Sequence, residues 1–247
     1  MKYSICTLVT RPAEYAELLR DFQEHAFTRS DCEFLYVDNS EGNRLDAFAA
    51  YNRFLLSARS EYVIFCHQDI QLIDDGRDKL DDLLRELTLL DPSWGVCGNA
   101  GAKEDRSFAH RITDPYGPNR SKGGPFPVKV MSLDEMFMVV RREKNLALSH
   151  DLSGFHWYAA DLCLVASMLG CSVYVIEFHL LHKSGGSFGE PFRKGREAFS
   201  QKYGDLFKPR WHEVVSGWSA YLSPSRTGRW VARLKRVVVN LLLFRGG

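Results

Sequence analysis

Residues 62–70 read Tyr-Val-Ile-Phe-Cys-His-Gln-Asp-Ile, and two of them, His67 and Asp69, are of types that bind cations. On an extended segment, side chains two apart point to the same side, so this imidazole and carboxylate can converge on one ion. The five apolar residues before them are rich in β-branched and aromatic side chains, and a run this short reads as a buried strand of a parallel sheet. The polar pair then falls at the strand's C-terminal end, the edge where open α/β sheets bind their ligands. The bland alternative is a strand whose polar end simply faces water. Further residues able to do chemistry are Asp38, Asp134, Glu135, His156, Tyr158, Asp161, His179 and His182. Each has a structural alternative: Asp38 suits an Asx turn, Asp161 suits the first turn of a helix, and Asp134 and Glu135 could point outward at a sheet edge.

The elements that must position these residues alternate. Residues 4–9 form a short apolar strand closed by Thr10-Arg11-Pro12, and proline suits a first helical turn. Tyr15, Leu18, Leu19, Phe22 and Ala26 follow at helical spacing. Residues 34–37 are a second strand ending in Asp38-Asn39-Ser40. A helix then carries Leu45, Phe48, Ala49, Asn52 and Leu56 on one face. Asn52, polar within that stripe, is expected to bond neighbouring backbone, since a buried amide without partners is costly. After the His-x-Asp strand come a helix over 77–90 and a strand over 94–98. Strand and helix in alternation predict a parallel sheet with right-handed crossovers. Residues 102–128 show no periodicity and many Gly, Pro and charged residues, and read as a long binding loop or a disordered segment. Residues 130–140 read as one strand, 162–169 as a helix stopped by Gly170, 173–176 as a last strand, and 192–203 as a polar helix.

Composition narrows the function. At 247 residues and 45% hydrophobic, the chain has enough apolar residues for one large domain. A net charge of +1 gives no reason to expect nucleic acid as a partner. The charge is uneven, with eight Lys/Arg against one acid from Lys208 onward. Six cysteines show no CxxC spacing, which predicts free thiols in a reducing, cytoplasmic setting and no structural zinc. The chain enters a strand at once, so no signal peptide is expected, and no apolar run reaches the roughly 20 residues of a membrane span. No GxGxxG or GxxxxGK[ST] follows any strand, which removes the dinucleotide and P-loop readings.

Taken in order, Asp38, Asn52, His67-Gln68-Asp69, Leu133-Asp134-Glu135 running to Arg141-Arg142, Phe155-His156-x-Tyr158-x-x-Asp161 and His182-x-Ser184-x-Gly186 resemble the family 2-like glycosyltransferases. The resemblance covers roughly residues 3 to 205. It implies a Rossmann-like α/β domain of the A-type glycosyltransferase fold, with a central, mostly parallel sheet flanked by helices. That family usually carries Asp-x-Asp at the metal site, whereas this chain has His67 in the first position. The resemblance implies an inverting transfer from a nucleotide-diphosphate sugar to a hydroxyl acceptor on a glycan or lipid, in surface polysaccharide or glycolipid synthesis. It places Asp69 and His182 on a Mn²⁺ or Mg²⁺ ion. Thr10, Arg11, Asp38, Asn39, His67 and Gln68 fall to the nucleotide sugar, and Asp134, Glu135, His156 and Tyr158 to the acceptor. Asp161 matches the family's general base. Residues 102–128 and 183–195 become candidates for a lid. The competing reading is a non-catalytic nucleotide-sugar-binding module, favoured by the missing first aspartate.

Residues 206–247 are expected to form a basic amphipathic tail after a catalytic domain of 1–205. Trp230, Arg233, Lys235 and Arg236 precede the apolar run 237–244, which is too short to span a bilayer. Cationic and aromatic residues beside such a run read as an anchor on an anionic membrane surface, peripheral to its inner face. A terminal helix packed on the domain or on another subunit is the alternative.

Overall fold

Tyr3–Val9 (β1) and Tyr62–Cys66 (β3) are strands whose apolar residues on both faces are covered, as expected of runs with no alternation. In the computed structural model of the chain, residues 1–28, 30–186, 188–213, 215, 219–225, 227, 230 and 231 are described. The chain divides into two compact units, Met1–Arg196 and Glu197–Gly247. The division falls inside a helix, earlier in the chain than the boundary expected after Asp205.

In the first unit, β1 pairs in parallel with both β2 (Cys32–Asp38) and β3. The other side of β3 takes β11 (Phe137–Arg141), which runs antiparallel to β3 and to β5 (Trp94–Gly98). β12 (Ser172–Val175) lies parallel to β5, and β9 (Val128–Lys129) closes the edge, giving the order β2-β1-β3-β11-β5-β12-β9. The helix-flanked α/β sheet that the alternation predicts is therefore present, with an antiparallel strand at its centre.

Three helices pack their apolar stripes on this sheet. α1 (Pro12–Glu24) starts with its proline in the first turn and buries Tyr15, Leu18 and Phe22. α2 (Ala47–Ser57) is capped by Asp46, whose carboxylate accepts from Ala49 N at 2.9 Å. Asn52 on this helix donates to Leu148 O (2.9 Å) and accepts from Leu148 N (2.8 Å), the backbone role expected of it. α3 (Arg77–Leu90) buries Leu80, Leu84 and Leu87. Cys6, Cys66 and Cys97 sit in the strand core as small apolar side chains, and all six cysteines are free.

A second sheet carries the other wall of the cleft. β4 (Ile70–Leu72), β6 (Ala100–Ala102), β7 (Phe108–Asp114), β10 (Ser132–Leu133) and β13 (Leu180–His182) form it in the order β10-β6-β7-β13-β4, and β8 (Gly117–Lys122) pairs with β7. Two expectations are corrected here. Residues 102–128 are not a structureless loop, because they contain the β7–β8 hairpin; β8 is polar with no buried residue, and β7 buries only Ala109 and Ile112, three positions apart, so neither strand shows the period-2 alternation. Residues 130–140 are not one strand either: β10 belongs to the second sheet and β11 to the first, and Asp134-Glu135 make the corner between them.

α4 (Tyr158–Met168) begins earlier than its apolar run suggested, after Trp157 in a left-handed conformation (φ 71°). α5 (Glu190–Leu206) passes from the first unit into the second. The second unit also contains the hairpin of β14 (Arg210–Glu213) and β15 (Ser219–Leu222). Most of the expected membrane-binding tail, from residue 232 onward, lies outside the described residues.

Candidate active site

β3 delivers His67, Gln68 and Asp69 to the sheet edge and sends them in different directions. His67 N donates to Met136 O at 2.9 Å, a backbone contact just beyond the ladder of β3 with β11. Gln68 reaches the turn after β1: its Oε1 accepts from Thr10 N (2.9 Å) and Arg11 N (3.0 Å), and its Nε2 donates to Thr10 Oγ1 (2.9 Å). Gln68 is thus a latch between two loops of the cleft.

His67 and Asp69 face a third residue, and strand pairing decides which one. β13 runs antiparallel to β4 with His182 opposite Ile70, and Lys183 N donates to Asp69 O at 3.0 Å. This register sets His182 Nε2 3.5 Å from Asp69 Oδ1, while His67 Nδ1 is 4.0 Å from the same oxygen. One ligand atom from each of the three residues lies within 4.8 Å of the others. Donors around a six-coordinate ion at ~2.1–2.3 Å stand roughly 3 to 4.6 Å apart, so the set fits one divalent cation.

The protonation states agree with that fit. Burial alone would raise the Asp69 carboxyl, but hydrogen bonds from His182 and Ser184 and the adjacent imidazoles outweigh it and hold it below the usual range. Burial, followed by the charge of His182, lowers the His67 imidazole and favours its neutral form. A neutral imidazole beside an ionised carboxylate is what a metal requires. The outer contacts orient the rings. The Tyr158 hydroxyl donates to Glu135 O (3.1 Å) and sits 3.0 Å from His67 Nε2. With its proton committed to Glu135, the hydroxyl accepts from His67 Nε2–H, and the Nδ1 lone pair is left facing Asp69. Ser184 Oγ lies 3.2 Å from His182 Nε2.

Between α1 and the edge strand β2, reaching to the ends of β1 and β2, is a hollow of about 330 Å³ bordered by Val9, Tyr15, Phe34, Tyr36 and Asp38. Tyr15 and Tyr36 offer ring faces, with centroids 5.2 Å apart. Asp38 Oδ1 accepts from Ser40 N (2.9 Å) and Ser40 Oγ (2.6 Å), and these bonds keep its carboxyl below the usual range. Asn39 is a correction to the expected nucleotide contacts. It is buried, it accepts from Arg44 N (2.9 Å) and donates to Leu45 O (2.9 Å), so its amide is used to close its own loop.

The acceptor-side residues divide as well. Asp134 is exposed on the rim of a larger cavity of about 670 Å³ over the second sheet, which His110 and Lys122 also line. Glu135 and His156 face each other, Oε2 to Nδ1, at 3.7 Å. Burial raises the Glu135 carboxyl, partly offset by His156 and the Trp157 amide. Tyr158, expected to touch acceptor, is buried between His67 and Glu135 and orients them instead.

Asp161, the expected general base, is enclosed. The residue is 0% exposed, and its carboxylate accepts from Ser149 N and Ser149 Oγ, both at 2.7 Å. Asp161 thus fixes the loop at residue 149, and its carboxylate has no open surface in this structure. His179 also stands apart from the metal cluster, bonded through Nε2 to Thr113 Oγ1 at 2.9 Å. The sequence places Ser184 in the motif His182-x-Ser184-x-Gly186 without assigning it a contact; the structure sets it against His182.

Solved structures share this fold. TarS 1–349 of S. aureus, solved in complex with UDP-GlcNAc, superposes with a TM-score of 0.55 at 14% identity, over 84% of this chain and 67% of that one. The mannosyltransferase PcManGT of Pyrobaculum calidifontis, solved with GDP-Man and Mn²⁺, gives 0.52 at 14% identity, over 83% of this chain and 64% of its own. The chain has the A-type glycosyltransferase fold. No family model matches it. The protein called ATP synthase subunits region ORF 6 of Fuscovulum blasticum is 39% identical over 224 residues, 88% of this chain and 89% of that protein, and the chain belongs to its family.

Proposed function

We propose that the protein is a metal-dependent glycosyltransferase that uses a nucleotide-diphosphate sugar. The observation that carries this reading is the joining of His67, Asp69 and His182 at the end of β3, beside the aromatic hollow that ends at Asp38. The hollow suits a nucleoside, with Tyr15 and Tyr36 against the base and Asp38 toward the sugar hydroxyls. The His/Asp/His set lies where the diphosphate would follow, with Arg11 and the Gln68-held turn alongside. A divalent ion there supplies Lewis-acid stabilisation of the leaving diphosphate. Two imidazoles and one carboxylate favour Mn²⁺ over the harder Mg²⁺. The large cavity at Asp134 suits the acceptor. We further read the transfer as inverting, a single displacement at the anomeric carbon, serving surface polysaccharide or glycolipid synthesis.

The test is nucleoside diphosphate release from a panel of UDP- and GDP-linked sugars with Mn²⁺. The reading requires metal-dependent release that is lost in Asp69→Ala. The burial of Asp161, the expected base, favours the alternative of a nucleotide-sugar-binding module. Tight, metal-dependent nucleotide binding without any release, across water and glycan acceptors, would establish that alternative.

Peripheral attachment to the inner face of a membrane is part of the same proposal, carried by the sequence of the tail; no helix among the described residues is long and apolar enough to cross one. Flotation with vesicles containing anionic lipid should carry the full chain up. Equal flotation with neutral vesicles would remove the electrostatic part of the idea.

A further inference from the structure

With Asp161 enclosed, transfer by this site needs another group to take the acceptor proton, and the candidates are few. Asp134 is exposed, and its Oδ1 already accepts from Met136 N at 3.0 Å. Glu135 is drawn inward, its carboxylate engaged by His156 and the Trp157 amide. Tyr158 is buried with its hydroxyl committed to the Glu135 carbonyl. His156 differs from all of them. Its ring packs edge-on against Phe192, with centroids 5.5 Å apart, and its side chain remains 23% exposed. Its Nδ1 is turned to Glu135 Oε2, and among the described residues Nε2 makes no hydrogen bond. His156 directly precedes the backbone reversal at Trp157 (φ 71°), so its ring meets Glu135 before α4 begins.

We propose that His156 is the general base of the transfer and that Glu135 positions it, an inference that rests on the reading of the site as a glycosyltransferase. Glu135 fixes the imidazole tautomer with the proton on Nδ1, which leaves the Nε2 lone pair for the acceptor. As the acceptor oxygen bonds to the anomeric carbon, its proton passes to Nε2. The bond from that carbon to the diphosphate oxygen breaks, and its electron pair leaves on the diphosphate. The imidazolium is held by the Glu135 carboxylate and returns its proton to water. An imidazole is matched to proton transfer at about pH 7, whereas an exposed carboxylate is a weaker acceptor toward a hydroxyl.

The experiment measures nucleoside diphosphate release from UDP- and GDP-linked sugars with saturating Mn²⁺, water or a glycan serving as acceptor, in the full chain and three variants. His156→Ala should lose roughly 10²–10⁴-fold in kcat, keep its Mn²⁺-dependent affinity for UDP or GDP, and recover activity with added imidazole. His156→Gln, which keeps the packing on Phe192 and cannot take a proton, should lose as much and keep its melting temperature. Glu135→Gln should lower kcat with KM little changed. Activity within a few-fold of wild type in both His156 variants overturns the base and leaves the glycosyltransferase reading standing. Loss without imidazole rescue, accompanied by weakened nucleotide binding, also overturns it, because the ring would then be structural. No release by the wild-type chain from any donor overturns the glycosyltransferase reading and the base with it.

Discussion

At the scale of single residues, the site is set by which polar groups are enclosed and which stay open. Glu135 is a carboxyl raised by burial, so its ionised form costs folding free energy. The stabilising contribution of such a group is complete below the ordinary glutamate value of about 4.3 and is lost as pH rises through the raised value in the fold. Glu135→Gln removes the cost of ionisation. The variant should therefore gain stability relative to wild type as pH rises from about 4 to 8, read as the difference in melting temperature across that range. A constant difference would mean that His156 and the Trp157 amide fully offset the burial. Asp161 predicts the opposite kind of result. Asp161→Asn sets an amide N–H against one of the two Ser149 donors, and the unmatched donor should cost ~1–3 kcal/mol. That is several degrees of melting temperature for a chain of this size, at a rough 2–4 °C per kcal/mol. Donor turnover at a temperature where the variant is folded should stay within a few-fold of wild type, and a 100-fold loss would return Asp161 to the chemistry.

At the scale of elements, two sheets meet in the segment from β10 to β11, and small residues allow the approach. Gly101 in β6 lies where an added Cβ would stand 2.5 Å from Ser132 O, a backbone atom of β10. Neither strand can yield without breaking its pairing, so Gly101→Ala should destabilise by about 1–3 kcal/mol. The displaced strand leads directly into Asp134 and Glu135, so the variant should also bind acceptor less well while retaining nucleotide affinity. Loss of nucleotide affinity of the same size would show that the two sheets respond as one body.

At the scale of the whole molecule, a ligand that binds only the folded chain raises its stability by mass action. With Mn²⁺ and UDP or GDP each at about 100 times its dissociation constant, the gain is roughly 2.7 kcal/mol per site occupied. Calorimetry or dye-monitored melting should show a rise of roughly 5–10 °C. Chelation should abolish it, and Asp69→Ala should show none of the metal-dependent part. His182→Ala should keep a fraction, since His67 and Asp69 remain. A full rise in Asp69→Ala would place the metal elsewhere.

The sequence by itself determined the strands and helices that bury apolar side chains, because their patterns are local. The runs ending at Cys66 and Cys97, the stripe of Leu80, Leu84 and Leu87, and the bonded amide of Asn52 were all legible in this way. So was the placing of His67 and Asp69 at a sheet edge, since a five-residue apolar run must end there. The ordered motifs, by resemblance, also carried the fold. Tertiary structure alone decided the rest, because the remaining questions turn on partners distant in the chain. The register of β13 on β4 brings His182 to Asp69, and no local pattern specifies a pairing between residues more than 100 positions apart. The polar hairpin of β7 and β8 is held by its place in a sheet rather than by its own hydrophobicity. An aspartate in the first turn of a helix reads the same in sequence whether it faces an acceptor or is enclosed. Bonding to Ser149 encloses Asp161, while His156 stays partly open beside Glu135.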